Sequence, residues 1–283
     1  MPTRNSSSTL PACLESIRAQ SWPALEIVVA DRFSTDATLE IARAAADVVF
    51  TAGPERSAQR NAGAARAKGA YLLFVDSDMV LEPAVVSECV EAATAGANAV
   101  VIPELSFGEG FWTRCKALER SCYVGDETVE AARFFSRDLF VAAGGFDESI
   151  SAAEDWDYHA RVRKCGGRTE RTRAFIGHDE GRLTLRRLMA KKRYYGRTWT
   201  EYARKYPTLA HEQTRFLRPA FLRHRRRLAG QPIVLAGMIV MKTCEYAAGA
   251  IGVVSGKLER LREPAPRLRR PLASLFGSGS RGR

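Results

Sequence analysis

The sequence predicts an α/β fold in which a mostly parallel central sheet is flanked by helices. Strand-like and helix-like segments alternate between residues 10 and 102, as expected for successive βαβ units. An uninterrupted apolar run, residues 71–75, is typical of a strand buried on both faces of a parallel sheet. This run ends at Asp76-Ser77-Asp78, and the carboxyl ends of such strands are where open α/β sheets bind ligands.

The individual elements follow from the spacing of apolar residues. Leu10, Cys13, Leu14 and Ile17 form the stripe of an amphipathic helix. By the same reasoning, further helices are predicted near residues 39–42, 57–67, 85–93, 139–143 and 154–162. Short runs rich in β-branched and aromatic residues predict strands at residues 26–30, 48–50, 99–102, 132–135 and 172–176.

The Asp76-Ser77-Asp78 segment admits two interpretations. Mg²⁺ is commonly held by one or two carboxylates, with phosphates and water completing its coordination. The segment could therefore clamp a metal ion and a diphosphate, or it could be a solvated turn. An Asp-x-Asp tripeptide is weak evidence by itself, because a second one occurs at Asp155-Trp156-Asp157.

The net charge of +11 conceals an uneven distribution. Residues 1–150 carry 13 Lys and Arg against 21 Asp and Glu, whereas residues 151–283 carry 30 against 11. The basic half therefore predicts an anionic partner surface. Nucleic acid is not expected, because no basic motif interleaved with aromatic residues is present. Six scattered cysteines without a Cys-x-x-Cys pair indicate a reduced cytosolic environment, and no secretory signal is visible.

The C-terminal half contains a basic helix at residues 183–206 and a long apolar stretch at residues 232–254. The apolar stretch is long enough to cross a bilayer, but Lys242 and Glu245 lie near its centre and basic runs flank both of its ends. We therefore expect an interfacial helix on an anionic membrane surface, with a spanning helix or a packing helix as the alternatives. The predicted divisions are residues 1–182, a basic helical region at 183–263, and a disordered tail at 264–283.

Six short motifs, in order, resemble those of the inverting family 2 glycosyltransferases, which have the GT-A fold. The resemblance covers residues 1–181, and no single motif carries it alone. The motifs are Pro2-Thr3-Arg4-Asn5, residues 26–31 with Ser34-Thr35-Asp36, Arg60-Asn61-x-Gly63, residues 74–78, residues 144–148, and Glu154-Asp155-Trp156-Asp157.

The resemblance implies a nucleotide-sugar site. Asp31 would bind the base or ribose, and Thr3 would line the same pocket. Arg60 would approach the diphosphate or its adjacent sugar, and Asp76 would face the ribose. The alternatives are that Asp31 caps a turn and that Arg60 is an ordinary surface residue.

The resemblance also implies a metal ion, Mg²⁺ or Mn²⁺, held by Asp78 and by His178. Asp155 would be the general base that takes the proton of an acceptor hydroxyl. His178 could instead be a loop histidine, and Glu154 and Asp155 could simply be first-turn acids of a helix.

We therefore expect an inverting, metal-assisted transfer from a nucleotide sugar, with UDP favoured, to a lipid-linked or polysaccharide acceptor of the cell envelope. The protein would lie on the cytoplasmic face of the membrane, as a peripheral or monotopic protein. The alternatives are a nucleotidyltransferase-like enzyme and a non-catalytic membrane-binding module that retains the fold. The sequence departs from the family pattern in two places. The family has a hydrophobic strand directly before Pro2-Thr3, whereas this sequence begins at Met1, so either the start is misassigned or a central strand is missing. Arg32-Phe33 stands where the family usually has Asp-Gly.

Overall fold

The computed structural model describes residues 1–150 and 152–262. Its strands are β1 Pro2–Thr3, β2 Val28–Asp31, β3 Val48–Thr51, β4 Tyr71–Leu73, β5 Met79–Leu81, β6 Ala99–Val101, β7 Glu104–Glu109, β8 Ala132–Ser136, β9 Thr169–Arg171 and β10 Ile176–Arg182. Its helices are α1 Leu10–Arg18, α2 Thr38–Ala45, α3 Arg56–Arg66, α4 Val85–Thr94, α5 Phe111–Ser121, α6 Arg137–Ala142, α7 Glu154–Lys164, α8 Leu185–Lys205, α9 Pro207–Gln213, α10 Pro219–Arg223, α11 Arg225–Ala229 and α12 Pro232–Arg262.

These strands form three sheets, in the orders β1-β2-β3, β5-β10-β7 and β4-β8-β6-β9. In the described residues, the parallel pairs are β1 with β2, β2 with β3, β7 with β10, and β6 with β9. The antiparallel pairs are β5 with β10, β4 with β8, and β6 with β8. The predicted α/β class, with mostly parallel pairing and a helical C-terminal region, is confirmed.

The strand before the Asp-x-Asp segment differs from the prediction. β4 ends at Leu73 and pairs antiparallel with β8, so it is not flanked by parallel neighbours on both sides. Phe74 and Val75 are still buried, with 6% and 4% exposure, and the Phe74 amide still donates to the Arg133 carbonyl. The apolar run therefore correctly indicates that Phe74 and Val75 are buried, but burial does not determine whether the neighbouring strand is parallel or antiparallel.

At the N-terminus, Pro2 and Thr3 form the short strand β1. Pro2 and Thr3 pair in parallel with Ala30 and Asp31, and the backbone nitrogen of Met1 donates to the Val28 carbonyl at 2.8 Å. This pairing brings Thr3 beside Asp31 at the carboxyl end of β2.

The turn that precedes α7 is held by Asn61 of α3. Gly145 has a φ of +65°, and a Cβ there would lie only 2.8 Å from the Asn61 side-chain oxygen. The Asn61 side chain accepts from the Phe146 amide at 2.8 Å and donates to the Phe146 carbonyl at 2.9 Å. The ring of Phe146 packs edge-on to Phe74, so this turn is fixed against the core beneath the Asp-x-Asp segment.

The C-terminal helices pack against α5 and against each other. α12 lies against both α8 and α5, and Met238 and Met241 of α12 join a buried cluster with Cys115 and Leu118. The boundary predicted at residue 182 falls between β10 and α8, while the predicted tail at 264–283 lies outside the described residues.

Two charged residues near the middle of α12 are buried and face α5. Lys242 pairs with Glu119 at 2.7 Å, and Glu245 pairs with Lys116 at 3.1 Å. Lys242 and Glu245 lie three positions apart on α12, and each is paired with a residue of the neighbouring helix α5. Because these charges are satisfied inside the protein, they set the rotation of α12 about its axis.

Candidate active site

Thr3 and Asp31 form a polar corner at the ends of β1 and β2. The Thr3 hydroxyl donates to Asp31 Oδ1 at 2.9 Å, and the Ser34 amide donates to the other carboxylate oxygen at 2.8 Å. Asp31 is fully buried, and its carboxylate also accepts from the Ser34 hydroxyl. The loop after β2 is therefore closed around this carboxylate, which brings together the two residues predicted to hold the nucleoside.

Arg60 of α3 lies at the centre of the site and is surrounded by carboxylates. Its guanidinium donates to Asp76 Oδ1 at 2.8 Å and to Asp155 Oδ1 at 2.7 Å, and Glu154 lies 3.5 Å away. The Arg60 side chain has no exposed surface, and it also lies over the Phe146 ring. It thus joins the end of the Asp-x-Asp strand to the start of α7.

Asp76 is buried between two arginines. Burial alone would raise the pKa of this carboxyl, but the charges of Arg60 and Arg133 hold it well below its usual range. The carboxylate is therefore ionised, and its orientation is fixed by Arg60 at one oxygen and Arg133 at the other.

Asp78 lies opposite His178 because β5 and β10 are antiparallel and His178 pairs with Met79. Asp78 Oδ2 is 3.2 Å from His178 Nε2. Burial would lower the pKa of His178, but its interactions with Asp78 and Glu104 raise it to about 9. The two residues predicted to hold a metal ion are thus adjacent, although 100 positions separate them in the chain.

Glu104 connects the histidine to the arginine behind Asp76. One of its carboxylate oxygens accepts from Arg133 at 2.5 Å, and the other lies 3.0 Å from Arg120 and 3.6 Å from His178 Nδ1. This carboxylate favours a proton on His178 Nδ1, which leaves Nε2 to face Asp78.

The Asp78 and His178 pair is compatible with a divalent cation when a substrate supplies further ligands. Among the described residues, no group of three or more His, Cys, Asp or Glu side chains is arranged to hold a metal by itself. However, Asp78 Oδ1 is buried and lacks a hydrogen-bond partner among these residues. A carboxylate and an imidazole that leave positions for a diphosphate and water suit Mn²⁺ or Mg²⁺.

Helix α8 covers the open side of this site. Its Lys191 acts electrostatically on Asp78 and Glu180. The ring of Tyr195 lies 5.6 Å from the Arg56 guanidinium, and Arg56 in turn pairs with Glu154 at 2.8 Å. Most charged residues of the site therefore come from residues 1–150, Glu154, Asp155 and His178 come from the second half, and α8 contributes Lys191 and Tyr195 beside them.

Sequence reasoning missed four charged residues that organise the site, namely Arg56, Glu104, Arg120 and Arg133. Arg133 carried a detectable signal, because a charge within the apolar run of residues 132–135 must find a partner when that run is buried. Glu104 follows a buried strand directly after Pro103, in the same kind of position that identified Asp76. Arg56 and Arg120 lie on helices, where a charged residue gives no such signal.

This chain belongs to the glycosyl transferase family 2, whose family model matches residues 1–148. The match covers the three-stranded sheet, the Asp-x-Asp segment and the turn before α7. It favours the glycosyltransferase prediction over the nucleotidyltransferase one.

Curated relatives are similar over part of their length. The succinoglycan biosynthesis protein ExoA of Rhizobium meliloti is 30% identical over 191 residues, which are 59% of this chain and 58% of that protein. A PGL/p-HBAD biosynthesis glycosyltransferase of Mycobacterium bovis is 29% identical over 180 residues, which are 57% of this chain and 67% of that protein. The chain thus spans little more than half the length of the first of these relatives.

Two solved structures share the fold. Staphylococcus aureus TarS 1-349 aligns with a TM-score of 0.54 and 16% identity, covering 93% of this chain and 90% of that one. The mannosyltransferase PcManGT from Pyrobaculum calidifontis, in complex with GDP-Man and Mn²⁺, aligns with a TM-score of 0.55 and 17% identity, covering 98% and 77%. At this level of identity the likeness establishes the GT-A fold alone.

Proposed function

We propose that this protein is an inverting glycosyltransferase that moves a sugar from a nucleotide-diphosphate donor, with UDP favoured, to an acceptor hydroxyl. The observation that carries the proposal is the buried Arg60, which bridges Asp76 at the donor side to Asp155 at the start of α7. A guanidinium shared by two carboxylates fixes both of them without using either as a covalent partner. The site therefore has the components of a single displacement.

In the proposed reaction, Asp155 accepts the proton of the acceptor hydroxyl. The hydroxyl oxygen forms a bond to the anomeric carbon while the bond from that carbon to the diphosphate oxygen breaks. Attack from the face opposite the leaving group inverts the configuration. Asp31 and Thr3 hold the nucleoside, and Asp76 orients its ribose.

Asp78 and His178 are the residues that would hold Mg²⁺ or Mn²⁺. When bound, the cation would neutralise the negative charge that develops on the leaving diphosphate. Lys191 of α8 adds a positive charge near Asp78 and could assist the same diphosphate.

We further propose that the protein acts at an anionic membrane surface, on a lipid-linked or envelope acceptor from the cytoplasmic side. α12 has the length and composition of a spanning helix, which is weak evidence by itself, and 33% of its most apolar window is buried. Its outward face carries exposed apolar residues, whereas Lys242 and Glu245 point inward. An apolar outward face beside basic segments suits a helix lying in the membrane interface. The outward residues are Ile233, Ile239, Val240, Ile251, Val254 and Leu258.

The proposed function is tested by incubating the purified full-length chain with UDP-, GDP- and dTDP-sugars. Donor hydrolysis is measured with Mn²⁺ and again after chelation by EDTA, and nucleotide binding is measured by calorimetry. We expect one nucleotide class to be used, with activity lost on chelation. Asp78→Asn should lose activity and metal-dependent nucleotide binding together. Unchanged Mn²⁺-dependent binding in that variant would exclude Asp78 as a ligand.

A further inference from the structure

A groove lies between α8 and α12. Its volume is about 490 Å³, within the range of small-molecule sites. We propose that this groove binds the hydrocarbon chain of a lipid-phosphate acceptor, with Arg193 pairing with the phosphate. This proposal rests on the proposed glycosyltransferase function and specifies its acceptor. The lining residues are Met189, Ala190, Arg193, Tyr194, Arg197, Ala248 and Ile251.

The lining of the groove matches an amphiphile with a negative head. Met189, Ala190, Ala248 and Ile251 provide apolar surface, and no acidic residue contributes to the lining. Within residues 1–150 and 152–262, no carboxylate forms an ion pair with Arg193. A guanidinium can pair with two phosphate oxygens at once. A neutral lipid would not pair with the Arg193 guanidinium, and a free phosphate would not cover the apolar lining of the groove.

The groove is held open by close contact between the two helices. A Cβ on Gly252 would clash with the Arg193 carbonyl oxygen, and a Cβ on Gly256 would clash with the Arg197 carbonyl oxygen. Gly196 likewise approaches the backbone of α12. The backbones of α8 and α12 therefore touch, so the groove walls are set by the helix crossing and need little ordering when a ligand binds.

The α8 wall of the groove contacts the residues at the start of α3. Tyr194 lines the groove, and its hydroxyl donates to Glu55 at 2.8 Å at the start of α3. The adjacent Tyr195 lies against Arg56, which pairs with Glu154 beside Asp155. Neighbouring residues of α8 therefore contact the groove and, through Arg56, the region of the proposed base.

The same groove is continuous with the outward apolar face of α12. Ile251 belongs to both, with 52% exposure, and Val254 and Leu258 extend the apolar surface along the helix. A hydrocarbon chain could thus pass from a membrane surface into the groove along Val254 and Ile251. This arrangement distinguishes a chain-binding groove from a general basic patch.

The test measures binding of farnesyl phosphate to the full-length protein by calorimetry, with farnesol and inorganic phosphate as separate arms. We expect saturable binding of farnesyl phosphate, binding of farnesol weaker by about tenfold or more, and no detectable binding of inorganic phosphate. Arg193→Gln should weaken farnesyl phosphate binding about tenfold, and Ala190→Trp should fill the groove and abolish it. Arg187→Gln, an exposed arginine on the same helix, is the matched control and should bind as the wild type does.

The outcomes separate this proposal from the proposed function. Equal affinity for farnesol and farnesyl phosphate, or an unchanged affinity in Arg193→Gln, would overturn the phosphate site. An Ala190→Trp variant that binds normally would overturn the groove. Each variant is also titrated with UDP and Mn²⁺, because normal donor binding with lost lipid binding supports the groove. Absent donor binding in the wild type, with lipid phosphate still bound, would refute the donor proposal and leave the groove intact.

Discussion

At the scale of single residues, the site depends on a small number of charges that fix one another. Arg60 holds Asp76 and Asp155, while Glu104 holds Arg133 and approaches His178. Each of these side chains is buried or partly buried, so removing one partner would leave another charge without compensation. Such a set can keep catalytic carboxylates in place before the donor arrives.

Asp155→Asn should reduce sugar transfer by roughly 10²–10⁴-fold, because the amide cannot take the proton of the acceptor hydroxyl. Donor affinity should change little, since Asp155 lies at the acceptor side of Arg60. Transfer is measured with the donor found by the hydrolysis screen, and donor affinity by calorimetry.

The matched control for this variant is Asp138→Asn. Asp138 is also an acid in the first turn of a helix, but it is exposed on α6. If both variants lose activity equally, the loss results from removing an acid from the first turn of a helix, and Asp155 is not the base.

Sequence reasoning located the individual site residues better than it located their partners. Asp76 and Asp78 follow from the end of an apolar run, and Asp31 follows from the end of a shorter one. The Asp78–His178 contact, in contrast, depends on the antiparallel pairing of β5 with β10. Nothing local in residues 79–81 or 176–182 specifies that register, so the pairing could be inferred only through the family resemblance.

At the scale of elements, the first helices and strands agree with the predicted spacing because their apolar stripes are regular. β7 was not predicted, because its sequence, Glu104 to Glu109, has exposed or half-buried positions and little alternation. β10 was also missed in its true extent, since it continues through polar residues to Arg182. Both strands are stabilised by pairing with each other, which a single segment cannot reveal.

Gly252→Ala should destabilise the packing of α12 on α8 by about 1–3 kcal/mol, because the new Cβ meets the Arg193 backbone and not a flexible side chain. Unfolding in urea, followed by circular dichroism, gives the difference in stability. Gly249→Ala is the matched control on the same helix, because no atom lies within 4 Å of its Cβ position. That variant should be neutral or slightly more stable, since alanine favours a helix. Similar losses in both variants would contradict a close helix crossing at Gly252.

At the scale of the whole molecule, the charge asymmetry separates two surfaces. The acidic first half supplies most residues of the proposed donor site, whereas the basic second half supplies α8, α10, α11 and α12. Leu217 and Leu222 are 80% and 71% exposed beside the arginines of residues 223–227. Exposed leucines next to arginines in the chain, like the outward face of α12, are consistent with the proposed contact with anionic lipid.

The membrane proposal predicts that the full-length protein sediments with vesicles containing anionic lipid and that high salt releases only part of it. Basic residues near such a surface contribute about 1 kcal/mol each and are screened by salt. The apolar contribution, roughly 25 cal/mol per Å² buried, persists in salt. Point variants test this better than a deletion of α12, which would strip Glu119 and Lys116 of their buried partners.

Val254→Glu places a charge on the outward face of α12 without touching the helix crossing, so vesicle binding at high salt should fall sharply. Val141→Glu is the matched control, because Val141 is similarly exposed, at 44% against 58%, but lies on α6 in the donor half. Its vesicle binding should equal that of the wild type.

Binding that is wholly lost in salt for the wild type would indicate an electrostatic contact without apolar insertion. Release only by detergent would instead indicate a helix that spans the bilayer. Unchanged salt-resistant binding in Val254→Glu would show that the outward face of α12 does not contact the membrane.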